Sequence, residues 1–112
     1  MVRWALIRVR GRSMLPTLAD AALVVLDRRR DPCPGDLVVV GLPGGRPDAV
    51  KRALRLDGEG WWVERDNPRE GVDSWTLGAV TPQDVRGVVV LRLWPHPALL
   101  THGSAGMPPG RV

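Results

Sequence analysis

One lysine stands among sixteen basic side chains, and it is Lys51. Arginine holds its proton in a folded protein, whereas a lysine stripped of water can give its proton up. Any side-chain amine that acts as a base in this chain is therefore Lys51. It lies in Ala49-Val50-Lys51-Arg52-Ala53-Leu54. Read as a strand, this segment puts Ala49, Lys51 and Ala53 on one face. Small apolar neighbours hydrate an ammonium poorly and favour its neutral form. A neutral amine can take the proton of a serine hydroxyl and so create a nucleophile. Taken alone, the segment also reads as a solvated lysine on a strand face.

A serine suited to such a partner is Ser13, in Gly11-Arg12-Ser13-Met14-Leu15-Pro16-Thr17. Gly11 permits close approach, and Pro16 removes a donor and fixes the backbone. A turn of this kind can present a hydroxyl together with backbone N–H groups. On its own it also reads as a turn serine that satisfies local backbone. Histidine offers no better route. His96 and His102 fall in a stretch rich in Pro and Gly, where the ordered imidazole of a Ser-His-Asp triad is not expected. That stretch supplies no further metal ligands, so no metal or other cofactor is expected. Cys33 sits between two prolines with no ordered histidine to activate it, and reads as an inert thiol.

The elements that must position these residues are short. Thirteen glycines and eleven prolines divide the 112 residues, and runs of valine and leucine lie between them. Strands are predicted over 3–10, 22–27, 37–42, 49–56, 61–65 and 85–94. Asp57-Gly58-Glu59-Gly60 has the turn chemistry of a hairpin. The segment 66–75 is polar and irregular. Thr81-Pro82-Gln83-Asp84 resembles a helix start, with room for about one turn. Many short strands at this spacing predict a small, mostly β, partly closed barrel of antiparallel strands with one or two helical turns at most. One catalytic domain is expected over 1–94. A Pro/Gly-rich tail is expected over 95–112, not packed on the rest.

Composition narrows the function. Hydrophobic residues make up 44% and charged residues 25%, which is ordinary for a globular domain. The net charge is +4, a surplus that suits an acidic partner or nucleic acid. The arginines are scattered apart from Arg28-Arg29-Arg30, and no Tyr or Phe is present to stack on bases. An arginine-rich surface accounts for the charge better than nucleic-acid binding does. No apolar run reaches the roughly 18 residues of a membrane span. Arg8 and Arg10 interrupt the apolar start, unlike a signal peptide. A cytoplasmic location is expected.

Four segments, taken together, carry a resemblance. Ser13-Met14-Leu15-Pro16-Thr17 resembles the Ser-Met-x-Pro-Thr box of type I signal peptidases. Gly35-Asp36, followed by a β run, is similar to their next box, and Val50-Lys51-Arg52 to the box that holds the general base. Asp66-Asn67, Asp73-Ser74 and Gly78 resemble the last box. The four occur in the family's order. The resemblance implies a serine-lysine protease on a small β fold, shared more distantly with LexA-type repressors. Ser13 is then the nucleophile and Lys51 the general base. The backbone N–H of Ser13 serves the oxyanion hole, with Gly11 as a possible contributor. Met14 is the guess for a residue lining the substrate pocket. Arg52 and Asp73 are implied to form a structural pair, with Asp66 and Ser74 in support.

Departures from the family pattern carry information too. Gly11 replaces a serine that some members add to the oxyanion hole. Gly71 replaces one that orients the lysine, so something else must hold Lys51. Arg65 stands where the family has Gly, and Trp75 where it has Arg. The stretch from Lys51 to Asp66 is one hairpin, and neither a membrane anchor nor a large second domain is expected. Brevity makes the chain most similar to the soluble maturation protease of nickel-type superoxide dismutase. That subfamily removes an N-terminal leader to free a nickel-binding N-terminus, so the implied partner is that precursor. Two alternatives remain: leader processing by peripheral contact with a membrane, and a non-catalytic LexA-like module.

Overall fold

A computed structural model describes residues 2–101. Seven strands account for most of its regular structure: β1 (Trp4–Arg8), β2 (Leu23–Asp27), β3 (Leu37–Val40), β4 (Ala49–Asp57), β5 (Gly60–Glu64), β6 (Val85–Trp94) and β7 (Ala98–Leu99). A one-turn helix α1 (Ser74–Leu77) and a 3-10 turn (Pro82–Asp84) complete it. The expectation of a mostly β fold of short antiparallel strands holds. The strand order is β1-β2-β6-β3-β4-β5, with β7 added beside β6, and the sheet does not close on itself.

The order explains the sequence pattern. β3 is the central four-residue strand, paired to β6 on one side and β4 on the other. Its run Leu-Val-Val-Val is buried throughout. Leu37 and Val39 join one apolar cluster with Met14, Leu18, Val24, Leu26 and Val89. Val38 and Val40 join a second with Ala53, Trp61, Val63 and Val88. Alternation sends successive side chains to opposite faces, so an unbroken apolar run marks a strand covered on both. The outer strand β1 instead alternates between exposed and half-buried.

The β4–β5 turn falls on Asp57-Gly58-Glu59-Gly60 as predicted. Gly58 has φ +64°, a left-handed conformation that glycine adopts without steric cost. Three expectations need correction. The strand predicted over 3–10 is shorter, because Val9 already hydrogen-bonds to the loop residues Ala21 and Ala22. The segment 66–75 is irregular as expected only over 66–73, since Ser74 and Trp75 open α1, which Asp73 caps by accepting from Trp75 N. The ordered chain also runs on past Trp94. β7 pairs Leu99 with Leu91 and Ala98 with Arg92, and Leu100 packs on the first cluster. Apolar Ala-Leu-Leu after Pro97 has a sheet edge to cover, which a reading of Pro and Gly content alone overlooks. The remainder of the predicted tail, including His102, lies outside the described residues.

Candidate active site

Lys51 occupies the third position of β4, opposite Val38 of β3. It is among the largest fully buried side chains, 2% exposed. Burial is the main reason its ammonium sits below the ordinary lysine range. The guanidinium of Arg65 pushes the same way, and the carboxylate of Asp73 opposes both. The sequence places Lys51 between small residues on a strand, and the fold buries it there.

Ser13 reaches the same spot from a loop between β1 and β2. It is half-buried, and its carbonyl accepts from Asn67 N at 2.8 Å. Gly71 reports how close the two side chains come. A Cβ built on Gly71 would lie 2.7 Å from Ser13 Cβ and 3.4 Å from Lys51 Nζ. Serine and lysine therefore converge on one point, 38 positions apart in sequence. Gly71 also has φ +93°, so a side chain there is excluded twice, by space and by backbone conformation. The serine that some relatives use to orient the lysine has no room at this position.

Four loops and strands hold the pair in place. Asn67 donates through its side chain to Arg12 O at 2.9 Å and through its backbone to Ser13 O, which grips the serine turn from both sides. Arg52, next to Lys51 but on the opposite face of β4, pairs with Asp66 at 2.6 Å and donates to Gly35 O at 2.8 Å. Thr17 donates to the same Asp66 carboxylate. The guanidinium and hydroxyl together hold the Asp66 carboxyl below its usual range, against its burial. Met14 is buried, with its sulfur accepting from Asp66 N, and its neighbours in the apolar cluster line one side of the cleft.

The implied Arg52–Asp73 pair is not formed. Asp73 pairs with Arg65 at 3.2 Å instead and accepts from Arg65 N at 3.2 Å. Arg52 faces away from Lys51, whereas Asp73 lies on the Lys51 side, so the two cannot meet. Arg65, the departure from the family's glycine, supplies the missing guanidinium. It also donates to Asn67 O and Pro68 O at 3.0 Å and so braces the loop that carries Gly71. Ser74 is buried and accepts from Val63 N at 2.9 Å, which seats α1 on β5. Gly11 is exposed, and its backbone N–H donates to Asp20 at 2.7 Å, so it is committed away from the cleft. Asn67 and Thr17 stood in the quoted segments and Arg65 as a departure from the family, but sequence reading gave none of them a role, since it did not say which groups each would hold. His96 is exposed, and Cys33 is exposed and free. Among the described residues no cluster of His, Cys, Asp and Glu has metal-binding geometry.

The cleft beside the pair has a volume of about 500 Å³ and runs between residues 7–14 on one wall and 46–51 on the other. A half-open trench with a serine and a buried lysine at one point can hold an extended chain against a hydroxyl and an amine. Comparison with known proteins points to a peptidase family. The Peptidase S24-like family model matches residues 3–90. Mitochondrial inner membrane protease subunit 1 of Schizosaccharomyces pombe is 28% identical, over 78% of this chain and 71% of that protein.

Proposed function

The chain belongs to the Peptidase S24-like family, and from that premise we propose that it is a serine endopeptidase with Ser13 as nucleophile and Lys51 as general base. The observation that carries the reading is the convergence of Ser13 Cβ and Lys51 Nζ on Gly71. Neutral Lys51 takes the hydroxyl proton as Ser13 Oγ attacks the scissile carbonyl. The backbone N–H of Ser13 stabilises the oxyanion, since that of Gly11 is bound to Asp20. Lys51 then delivers its proton to the leaving amine. A water molecule, activated by the same amine, resolves the acyl-enzyme and restores the serine.

The substrate is a precursor protein from which an N-terminal leader is removed. The narrower reading is the precursor of nickel superoxide dismutase in the cytoplasm, and the single hairpin between Lys51 and Asp66 is what favours it. The direct experiment mixes the protein with that precursor and sequences the new N-terminus. Ser13→Ala and Lys51→Ala should each lower kcat by about 10⁴-fold or more. Lys51→Arg should be as inactive, because arginine keeps its proton. Wild-type activity should climb with pH as Lys51 deprotonates, with a midpoint below 10.5. Full turnover by Lys51→Arg would remove lysine from the role of base.

A second reading, leader processing at a membrane surface, has one observation in its favour. Trp4 and Leu6 of β1, and Val2 just before it, are well exposed. Among the described residues no helix is long and apolar enough to cross a membrane.

A further inference from the structure

The charge inside the cleft is one-sided. Arg8, Arg10 and Arg12 lie along one wall and Arg46 on the other, and all four are exposed. Two acids share the lining, Asp48 and Glu70. Asp48 is paired at 3.2 Å with Arg86, which lies outside the cleft lining. Glu70 stands 3.9 Å from Arg12, a loose contact between two well-exposed groups. Arg8 donates to the carbonyl of Ala21, which leaves its charge unbalanced. Arg10 and Arg46 have no ion-pair partner among the described residues. The trench that leads to Ser13 is thus cationic on both walls, over an apolar floor formed by Val9, Met14 and Val39.

An extended chain laid in this trench presents side chains alternately to floor and rim. Small apolar residues suit the floor. The rim favours carboxylates, because guanidinium groups bind them with two parallel hydrogen bonds and repel cations. A concave site also concentrates the field of its charges. Resting on the peptidase reading above, we propose that the cleft selects peptides that carry Asp or Glu within a few residues of the cleaved bond.

Binding tests this separately from catalysis. Short dye-labelled peptides with an alanine-rich centre are made in three forms, with flanking Asp, Asn or Lys. Fluorescence anisotropy measures their affinity for the Ser13→Ala protein. The Asp peptide should bind about fivefold tighter than the Asn peptide at low ionic strength, as two or three exposed ion pairs allow. The Lys peptide should bind weakest, and the differences should shrink as salt is added. Arg10→Glu combined with Arg46→Glu should reverse the order of the Asp and Lys peptides. Equal affinities, or a preference for Lys in the Ser13→Ala protein, would overturn the proposal. Cleavage of the same peptides by the wild-type protein reports on the peptidase reading. Acid-selective binding without cleavage would sink that reading and keep the charge rule. Cleavage without regard to flanking charge would do the opposite.

Discussion

A buried lysine is an expensive residue for a domain of this size to keep. Water would hydrate its ammonium, and the interior near Lys51 does not. The folded state therefore gives up this proton at a lower pH than the unfolded chain does. The unfolded state thus binds more protons, and stability rises with pH. That rise spans the window from the lowered folded pKa to the unfolded value near 10.5, and it is flat below the window. Lys51→Met keeps the length of the side chain and removes the titration. It should raise stability at pH 7, and the gain should fade as pH approaches 10.5. Urea unfolding at several pH values measures both. A gain that stays constant with pH would mean that Lys51 keeps its proton in the fold, and the base assignment would lose its physical ground. Gly71 belongs to the same balance. Its missing side chain leaves space that both Ser13 and Lys51 border, so the sequence departure that removes an orienting serine also keeps that space open.

At the scale of elements, the site is three loops pinned to β4. Arg52 reaches Asp66, which reaches Thr17, and Arg52 also holds Gly35 O. One guanidinium thus ties the serine loop, the turn before β3 and the loop after β5. Arg52→Ala should cost about 2–3 kcal/mol in chemical unfolding, because it leaves the Asp66 carboxylate partly buried without its cation. Arg52→Lys should recover little, since an ammonium cannot hold the carboxylate and a carbonyl in one planar fork. Activity should fall more than stability alone accounts for at temperatures where the variant stays folded. A variant with normal kcat would show that Ser13 is placed without this tie. These elements also show what sequence can carry. β3, β4, β5 and β6 were legible because apolar runs and turn residues are local signals. Lys51 stood out as the one lysine, but its alanine neighbours alone also fitted a solvated side chain, and only the resemblance gave it a role. The Asp73–Arg65 pair was not legible, because a resemblance transfers a role by position while the pairing depends on which face each side chain leaves. β7 was missed for a related reason: its two residues gain order from the edge of β6, a partner that no local pattern names.

Across the whole molecule, one part of the exposed apolar surface forms a row over neighbouring strands, while Leu56 on β4 and Trp75 on α1 are exposed elsewhere. The registers place Leu6 beside Val25, Val25 beside Leu91, and Leu91 beside Leu99. Leu6 and Leu99, at the ends of this row, are 65% and 81% exposed, and Trp4 of β1 and Val2 just before it continue the row. Exposed apolar surface of this kind marks contact with a membrane or another protein on some molecules and nothing on others. Magnitudes help to decide. Full burial of one aliphatic side chain is worth about 1.5–3 kcal/mol, and these side chains would enter a lipid surface only in part. Their sum is comparable to one acyl anchor, which by itself holds a protein to lipid only marginally. The net charge of +4 adds attraction only where the lipid is anionic. The protein should therefore remain in the lower fraction when floated with neutral vesicles at physiological ionic strength. With anionic vesicles it should bind weakly and release as salt is raised. Leu6→Asp should leave precursor cleavage within about twofold of wild type, since Leu6 points away from the cleft floor and carries none of its contacts. Salt-resistant flotation that Leu6→Asp abolishes, together with cleavage that requires vesicles, would reverse the ranking of the two readings. The row on β1 would then be where the enzyme meets its substrate's membrane.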